Sequence, residues 1–254
     1  MSMKHIKSII RSIFFLSILI SSLIMINQVL VPKYIVKNSL LPTTTTYTQF
    51  YEMDKNSIDV IFLGSSVAVN AFIPQEIYNE FGIRSYNLGS EQQSVFLSYY
   101  WLKEALRFQK PQAVVLDLRF MREYHPENPI NTVESLARKC LDPMKWSSVK
   151  CEAVHDLCEL DKSQSELSYY LTNIRYHSRW TEIQEYDINK EIVKTTPLYG
   201  FAPVIGNGPD TFTPYEQNDT TETIDFNPVM QHYLDCIVNL CNDQSIQLIM
   251  VDLP

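Results

Sequence analysis

Four consecutive apolar residues, Val60 to Leu63, run directly into Gly64-Ser65-Ser66, and a helical pattern follows from Pro74 to about Phe81. A short unbroken apolar run closed by turn residues marks a strand buried on both faces, the kind that parallel sheets contain. In an open parallel sheet, groups at the carboxyl ends of strands face the ligand crevice. Gly64 permits a turn or close backbone approach that a side chain would obstruct, and a hydroxyl placed after it is presented on the helix side of the turn. Ser66 is the candidate nucleophile on these grounds. A plain strand-to-helix turn competes with this account, because glycine and serine populate any such turn.

Further strands set the fold class. Ile83 to Leu88 is a second strand-like run, closed by Asn87-Leu88-Gly89, and Ala113 to Leu118 is a third. Between them Ser90-Glu91-Gln92-Gln93 opens a predicted helix to about Phe108, with Val95, Tyr99, Leu102 and Leu106 on one stripe. Asn227-Pro228 starts a last helix, and Ile246 to Leu253 forms a fourth strand. Strands alternating with helices predict an α/β protein with a doubly wound, flavodoxin-like parallel sheet.

Phe62-Leu63-Gly64-Ser65-Ser66, then Tyr86-Asn87-Leu88-Gly89, then Lys110 to Asp117 resembles the membrane-tethered branch of the SGNH (GDSL-like) hydrolase superfamily. That branch includes proteins tied to D-alanylation of cell-wall polymers and to polysaccharide O-acetylation. The resemblance covers residues 58–118 and resumes weakly over 246–254. It implies an SGNH-type serine esterase or acyltransferase fold, with the block I serine at Ser66 and the block II oxyanion glycine at Gly89. The family's block III, Gly-x-Asn-Asp after the third strand, is replaced by Asp117-Leu118-Arg119-Phe120-Met121. Asp117, Gln92 and Gln93 follow these blocks closely enough to be candidates for the substrate side of the crevice; the first polar turn of a helix is the competing account of the two glutamines.

Ahead of this region, residues 13–31 carry no charge and follow Lys4, Lys7 and Arg11. That pattern predicts a short basic cytoplasmic tail (1–12), a single transmembrane helix (13–31) and an extracellular main body. A cleaved signal peptide fits less well, because Ile26-Asn27-Gln28-Val29 offers no small-residue cleavage site. Residues 32–57, with Pro42 and the threonines 43–46, are expected to form a stalk, and the α/β domain to fill 58–254. Beyond the tail and span, 18 basic side chains face 29 acidic ones, which excludes a nucleic-acid partner.

Residues 120–226 interrupt the strand–helix alternation for too long to be a bare loop and are expected to fold as a helical cap insertion. Helical spacing spans Val149 to Leu160, and Ser163-Gln164-Ser165-Glu166 is a capping-box pattern opening a helix to about Trp180. Aromatic residues in the excursion are expected to build its core for the most part, and the irregular Tyr199–Tyr215 loop to move or touch substrate.

A serine hydroxyl needs a base within hydrogen-bond reach and a group that orients it. The resemblance places both in an Asp-x-x-His near the carboxyl terminus, and no Asp-x-x-His occurs here. The expectation is that the dyad lies beyond Pro254 and that the domain is incomplete at its carboxyl end; a chain that has lost catalysis and keeps a binding crevice is the alternative. Of His5, His125, His155, His177 and His232, His177 draws most interest because it continues the stripe of Leu167, Tyr170 and Ile174, although a core or lid histidine explains it more simply. Cys140, Cys151, Cys158, Cys236 and Cys241 show neither Cys-x-x-Cys nor ligand spacing with histidine, so neither a metal site, a cofactor nor a disulfide scaffold is expected.

Two functions follow as expectations. The first is a membrane-anchored extracytoplasmic serine esterase or O-acyltransferase, acting on acylated cell-wall or exopolysaccharide components, with a membrane acyltransferase as a further partner. The second is a catalytically inactive accessory or binding protein on the same fold. A Rossmann nucleotide site is disfavoured by the absence of Gly-x-Gly-x-x-Gly.

Overall fold

The computed structural model describes residues 3–33, 43–121, 126, 128–189, 198–203 and 226–253. His125, most of the Tyr199–Tyr215 loop and the last residue, Pro254, lie outside the described residues. Two compact units emerge: Met1–Lys33 with Ser165–Lys194, and Tyr34–Gln164 with Thr195–Pro254. In chain order the elements are α1 (Met3–Leu30), α2 (Thr43–Phe50), β1 (Val60–Leu63), α3 (Ser66–Ala71), α4 (Pro74–Phe81), β2 (Ser85–Asn87), α5 (Val95–Ala105) and β3 (Ala113–Asp117). There follow α6 (Glu134–Leu141), α7 (Ser148–Leu160), α8 (Glu166–Tyr170), α9 (Asn173–Tyr176), α10 (Glu185–Ile188), α11 (Pro228–Asp243) and β4 (Gln247–Val251). The predicted excursion 120–226 therefore supplies α6 and α7 to the larger unit and α8 to α10 to the smaller.

The larger unit is an α/β body on a four-stranded, all-parallel sheet in the order β2-β1-β3-β4. From β1 the chain steps to β2 on one side and then crosses to β3 on the other, so the strand order reverses between β1 and β3. A crevice opens at the carboxyl ends where such a reversal occurs. In register, Leu63 pairs with Leu116, which sets Gly64 level with Asp117. Ile61, Leu63, Val114 and Leu116 are fully buried, as the unbroken apolar runs require. The edge strand β4 is different, with Ile249 and Met250 exposed.

Three elements depart from the sequence expectation. The expected stalk is in part core: α2 buries Tyr47 and Phe50, and the Tyr47 ring stacks on Trp101 of α5 at 4.0 Å and 8°. A run of four threonines hid this helix, since two aromatics three residues apart carry the burial and the residues between them need only be tolerated. The helix expected from Ser90 begins instead at Val95, because Gln92 adopts φ +49° and breaks any helix through 90–93. An extra short helix, α3, begins at Ser66.

In the smaller unit α1 packs with α9, α10 and the 3-10 turn at His177–Thr181. The helix expected up to Trp180 is broken into α8, α9 and that turn. At the carboxyl end of α1, Arg179 donates to the carbonyls of Val29 (3.4 Å) and Leu30 (2.9 Å), and Lys33 donates to that of Val31 (2.7 Å). Cations at a helix carboxyl end satisfy orphan carbonyls and complement the dipole. Arg179 is itself held by Asp187 at 2.6 Å, and the Thr172 hydroxyl donates to Asn27. The stretch His5–Leu30 is long and apolar enough to cross a membrane, and its most apolar 18 residues, with a mean hydropathy of 2.4, are entirely unburied.

Candidate functional site

β1 ends against β3, and that contact shapes the turn. Gly64 has φ +145°, and a Cβ there would lie 2.4 Å from Asp117 Cβ. No other residue fits, so the glycine is required by both conformation and space. Asp117 Oδ2 then accepts from the Ser65 hydroxyl (2.7 Å) and the Ser65 amide (3.3 Å), while Oδ1 accepts from the Arg119 amide (3.0 Å). Ser65 Oγ also accepts from Val67 N–H (3.3 Å), capping α3. Ser65 is 2% exposed and fully committed.

Ser66, the next residue, is half-buried at the first position of α3 and makes no side-chain hydrogen bond among the described residues. Its backbone N–H likewise donates to no described residue, as expected at a helix start. Two adjacent serines thus divide the work: Ser65 builds the turn, and Ser66, half-buried at the carboxyl end of the sheet, keeps a hydroxyl with no partner among the described residues.

Gly89 reaches the same turn from β2. The Leu88 amide donates to Phe62 (2.8 Å) and the Ser90 amide to Gly64 (3.1 Å). Between them the N–H of Gly89, a buried residue, donates to no described residue. A Cβ on Gly89 would stand 2.6 Å from Val69 Cγ2, 2.8 Å from the Gly64 carbonyl oxygen and 3.4 Å from that of Ser65. Glycine is what allows the second loop to press onto the peptide carrying Ser66. Among the described residues, then, the amides of Ser66 and Gly89 both lack an acceptor on two loops in contact.

Behind Gly89 the two glutamines separate. Gln93 is 2% exposed and turned into the core, where it accepts from the Tyr47 hydroxyl (2.6 Å) and donates to the Leu88 carbonyl (2.9 Å) and Ser98 Oγ (3.1 Å). Its chemistry is spent on holding the loop. Gln92 is exposed on a left-handed turn. The Ser90 hydroxyl meets the Cys140 thiol at 3.1 Å, and burial pushes that thiol's pKa up.

Asn87 was visible in the sequence as part of a block yet had no assigned role there. It is fully buried, and its amide donates to the Phe72 carbonyl at 2.8 Å, tying the end of α3 to β2. Its Oδ1 has no partner among the described residues. Gly200, at φ +82°, packs so tightly on Asn87 that a Cβ would fall 1.9 Å from the Asn87 carbonyl oxygen, and Tyr199 accepts from the Asn87 amide at 2.8 Å. One end of the irregular loop is thereby pinned to β2.

No family model, curated protein or solved structure matches this chain. The site stands on its own geometry.

No described histidine hydrogen-bonds to Ser66. His155 is exposed on α7, and His177 is exposed in the smaller unit with Nδ1 3.0 Å from the Ile174 carbonyl. His232, on α11, lies 3.8 Å from the Cys236 thiol and lines a separate groove of about 450 Å3 with Asp156, Glu159, Val229 and Tyr233. Asp156 in that groove accepts from the hydroxyls of Tyr100 and Tyr233, whose pKa values burial drives far up, so both stay protonated donors. Among the described residues no cluster of His, Cys, Asp and Glu is arranged to hold a metal ion. The described cysteines are all unpaired with one another.

Proposed function

We propose that this chain is a membrane-anchored, extracytoplasmic serine esterase or O-acyltransferase of SGNH type, acting on acylated cell-wall or exopolysaccharide components. One observation carries the reading: among the described residues the Ser66 hydroxyl has no partner and the backbone amides of Ser66 and Gly89 have no acceptor, on two loops that press together where the strand order reverses. Ser66 Oγ would attack the acyl carbonyl and pass its proton to a base outside the described residues. The oxyanion would be held by the two amides, and the departing alcohol would take a proton as the ester bond breaks. Water then completes hydrolysis, or a sugar hydroxyl completes transfer; a membrane acyltransferase would supply the acyl group in the second case. The anchor is α1, with its basic end in the cytoplasm.

A second reading, an inactive binding protein on the same fold, draws on the lack of a described base at Ser66. Labelling by a fluorophosphonate in membranes of the producing cells separates the two. The enzyme reading expects labelling that Ser66→Ala abolishes and Ser65→Ala does not remove at matched folded amount. Absence of labelling in the wild-type chain would leave the binding protein.

A further inference from the structure

We propose that the helical segment 166–188, fastened to the end of α1, lies in the headgroup–acyl boundary of the bilayer and holds the smaller unit on the membrane surface. The inference rests on α1 being a membrane anchor. Leu167 on α8, Leu171 just after it and Ile174 on α9 are 55%, 55% and 48% exposed. Trp180 and Ile188, further along the segment, are 69% and 68% exposed. The same segment already buries Tyr169, Thr172 and Tyr176. The segment thus carries buried and exposed apolar side chains together. Large apolar side chains left this exposed within one short segment call for an apolar partner.

The attachment identifies that partner as lipid. Thr172 bonds to Asn27, and Arg179 to the carbonyls of Val29 and Leu30, which form the last turn of α1. The 26 residues His5–Leu30 measure about 39 Å at 1.5 Å per residue, against a hydrocarbon core of about 30 Å. When the basic end stays on one side, the last turn of α1 reaches the opposite headgroup level. Anything fixed to that turn is held at the same depth. Tryptophan favours this depth, and Arg175, His177, Glu182 and Glu185, also exposed, supply the polar side that an interfacial segment requires. The Arg179–Asp187 pair, 13% and 0% exposed at its side chains, meets the helix-end carbonyls where water becomes scarce.

The test uses the full chain reconstituted in nanodiscs, with co-flotation on vesicles checked first. Trp180 emission is obtained as the difference between the wild-type chain and Trp180→Phe. Lipids brominated near the headgroup end of the acyl chain should abolish this emission while aqueous iodide barely alters it, and the double variant Leu171→Glu, Ile174→Glu should restore it. Emission quenched by iodide and untouched by bromolipid would overturn the proposal in favour of a solvated face. Resistance to both quenchers would overturn it in favour of a second copy or another protein covering these side chains. A chain that neither floats nor enters nanodiscs would overturn the anchor first, and the interfacial segment with it.

Discussion

Replacing Gly64 with alanine tests the geometry on which the site depends. Two costs add. The residue holds φ +145°, a region open to glycine alone, and forcing an L-residue there costs about 1–3 kcal/mol. The new Cβ would lie 2.4 Å from Asp117 Cβ and 3.3 Å from Ala68 Cβ. Neither contact is the far end of a flexible side chain, so backbone must move, at a cost of about 1–3 kcal/mol for overpacking. The sum is about 4 kcal/mol, a large part of the stability of an ordinary domain. Gly82→Ala is the matched control: it has φ +69° at the end of α4 but nothing within 4 Å of its Cβ, and should cost only about 1 kcal/mol. Both are measured on the detergent-solubilised full chain by equilibrium urea unfolding. Trp101, fully buried on α5, reports the larger unit through its emission shift. A Gly64→Ala chain within about 1 kcal/mol of wild type, or no less stable than Gly82→Ala, would refute the packing of β1 on Asp117.

Ser65→Ala should destabilise by about 2 kcal/mol, through the lost bond to a buried carboxylate and the lost cap, whereas Ser66→Ala should change stability by less than about 0.5 kcal/mol; urea midpoints compare them directly. Tyr47→Phe should cost about 1–2 kcal/mol in the same assay by leaving Gln93 Oε1 short of its 2.6 Å donor; a stalk residue would cost nothing. Asp59 accepts hydrogen bonds from the Arg84 guanidinium that hold its carboxyl below the ordinary value of 3.8, so the unfolded chain binds the proton more readily. The stability this adds is complete above that value and lost as pH falls through the lowered one, and Asp59→Asn should flatten this part of the acid limb of a stability–pH curve. Iodoacetamide at mildly alkaline pH should modify exposed Cys151 in the native chain and spare Cys140, which is fully buried with its thiol pKa raised by burial, until urea is added; peptide mass mapping reads the order.

The parallel sheet was legible because its signal is local. Apolar runs at Val60–Leu63 and Ala113–Leu116, each closed by turn chemistry, name a buried strand without reference to the rest of the chain. The close approach at Gly64 was legible for a related reason, since a glycine at a strand end permits it whatever approaches; Gly89 was singled out only by the resemblance, and its contact with the Gly64 turn is the structure's addition. What stayed hidden depends on partners distant in sequence. Tyr47 meets Trp101 across more than fifty residues, and nothing in Thr43-Thr44-Thr45-Thr46 announces a core helix. The commitment of Gln93 to the core also depends on Tyr47, so two polar residues side by side took opposite fates that spacing could not separate. Ser65 and Ser66 are a sharper case. The sequence gives both a hydroxyl, and only the register of β1 on β3, which puts Asp117 level with Gly64, decides which one is consumed.

That decision bears on whether the Gly-Ser-Ser turn is only a turn. A structural turn satisfies its own polar groups, and most of this one does: Ser65 Oγ both donates and accepts, the Ser65 amide reaches Asp117, and the amides of Leu88 and Ser90 reach Phe62 and Gly64. Against that background the Ser66 hydroxyl, the Ser66 amide and the Gly89 amide have no partner among the described residues, and neither does the side-chain oxygen of Asn87. A buried donor left without an acceptor costs about 1–3 kcal/mol. The fold could avoid that cost with a side chain such as the one Asp117 lends to Ser65. Instead, a second glycine holds the loop close, and Asp117 is directed to the neighbouring residue. The Ser66 amide would be open at the start of any helix, so the features a plain turn leaves unexplained are the Ser66 hydroxyl and the Gly89 amide, the groups on which the proposed acyl chemistry would draw.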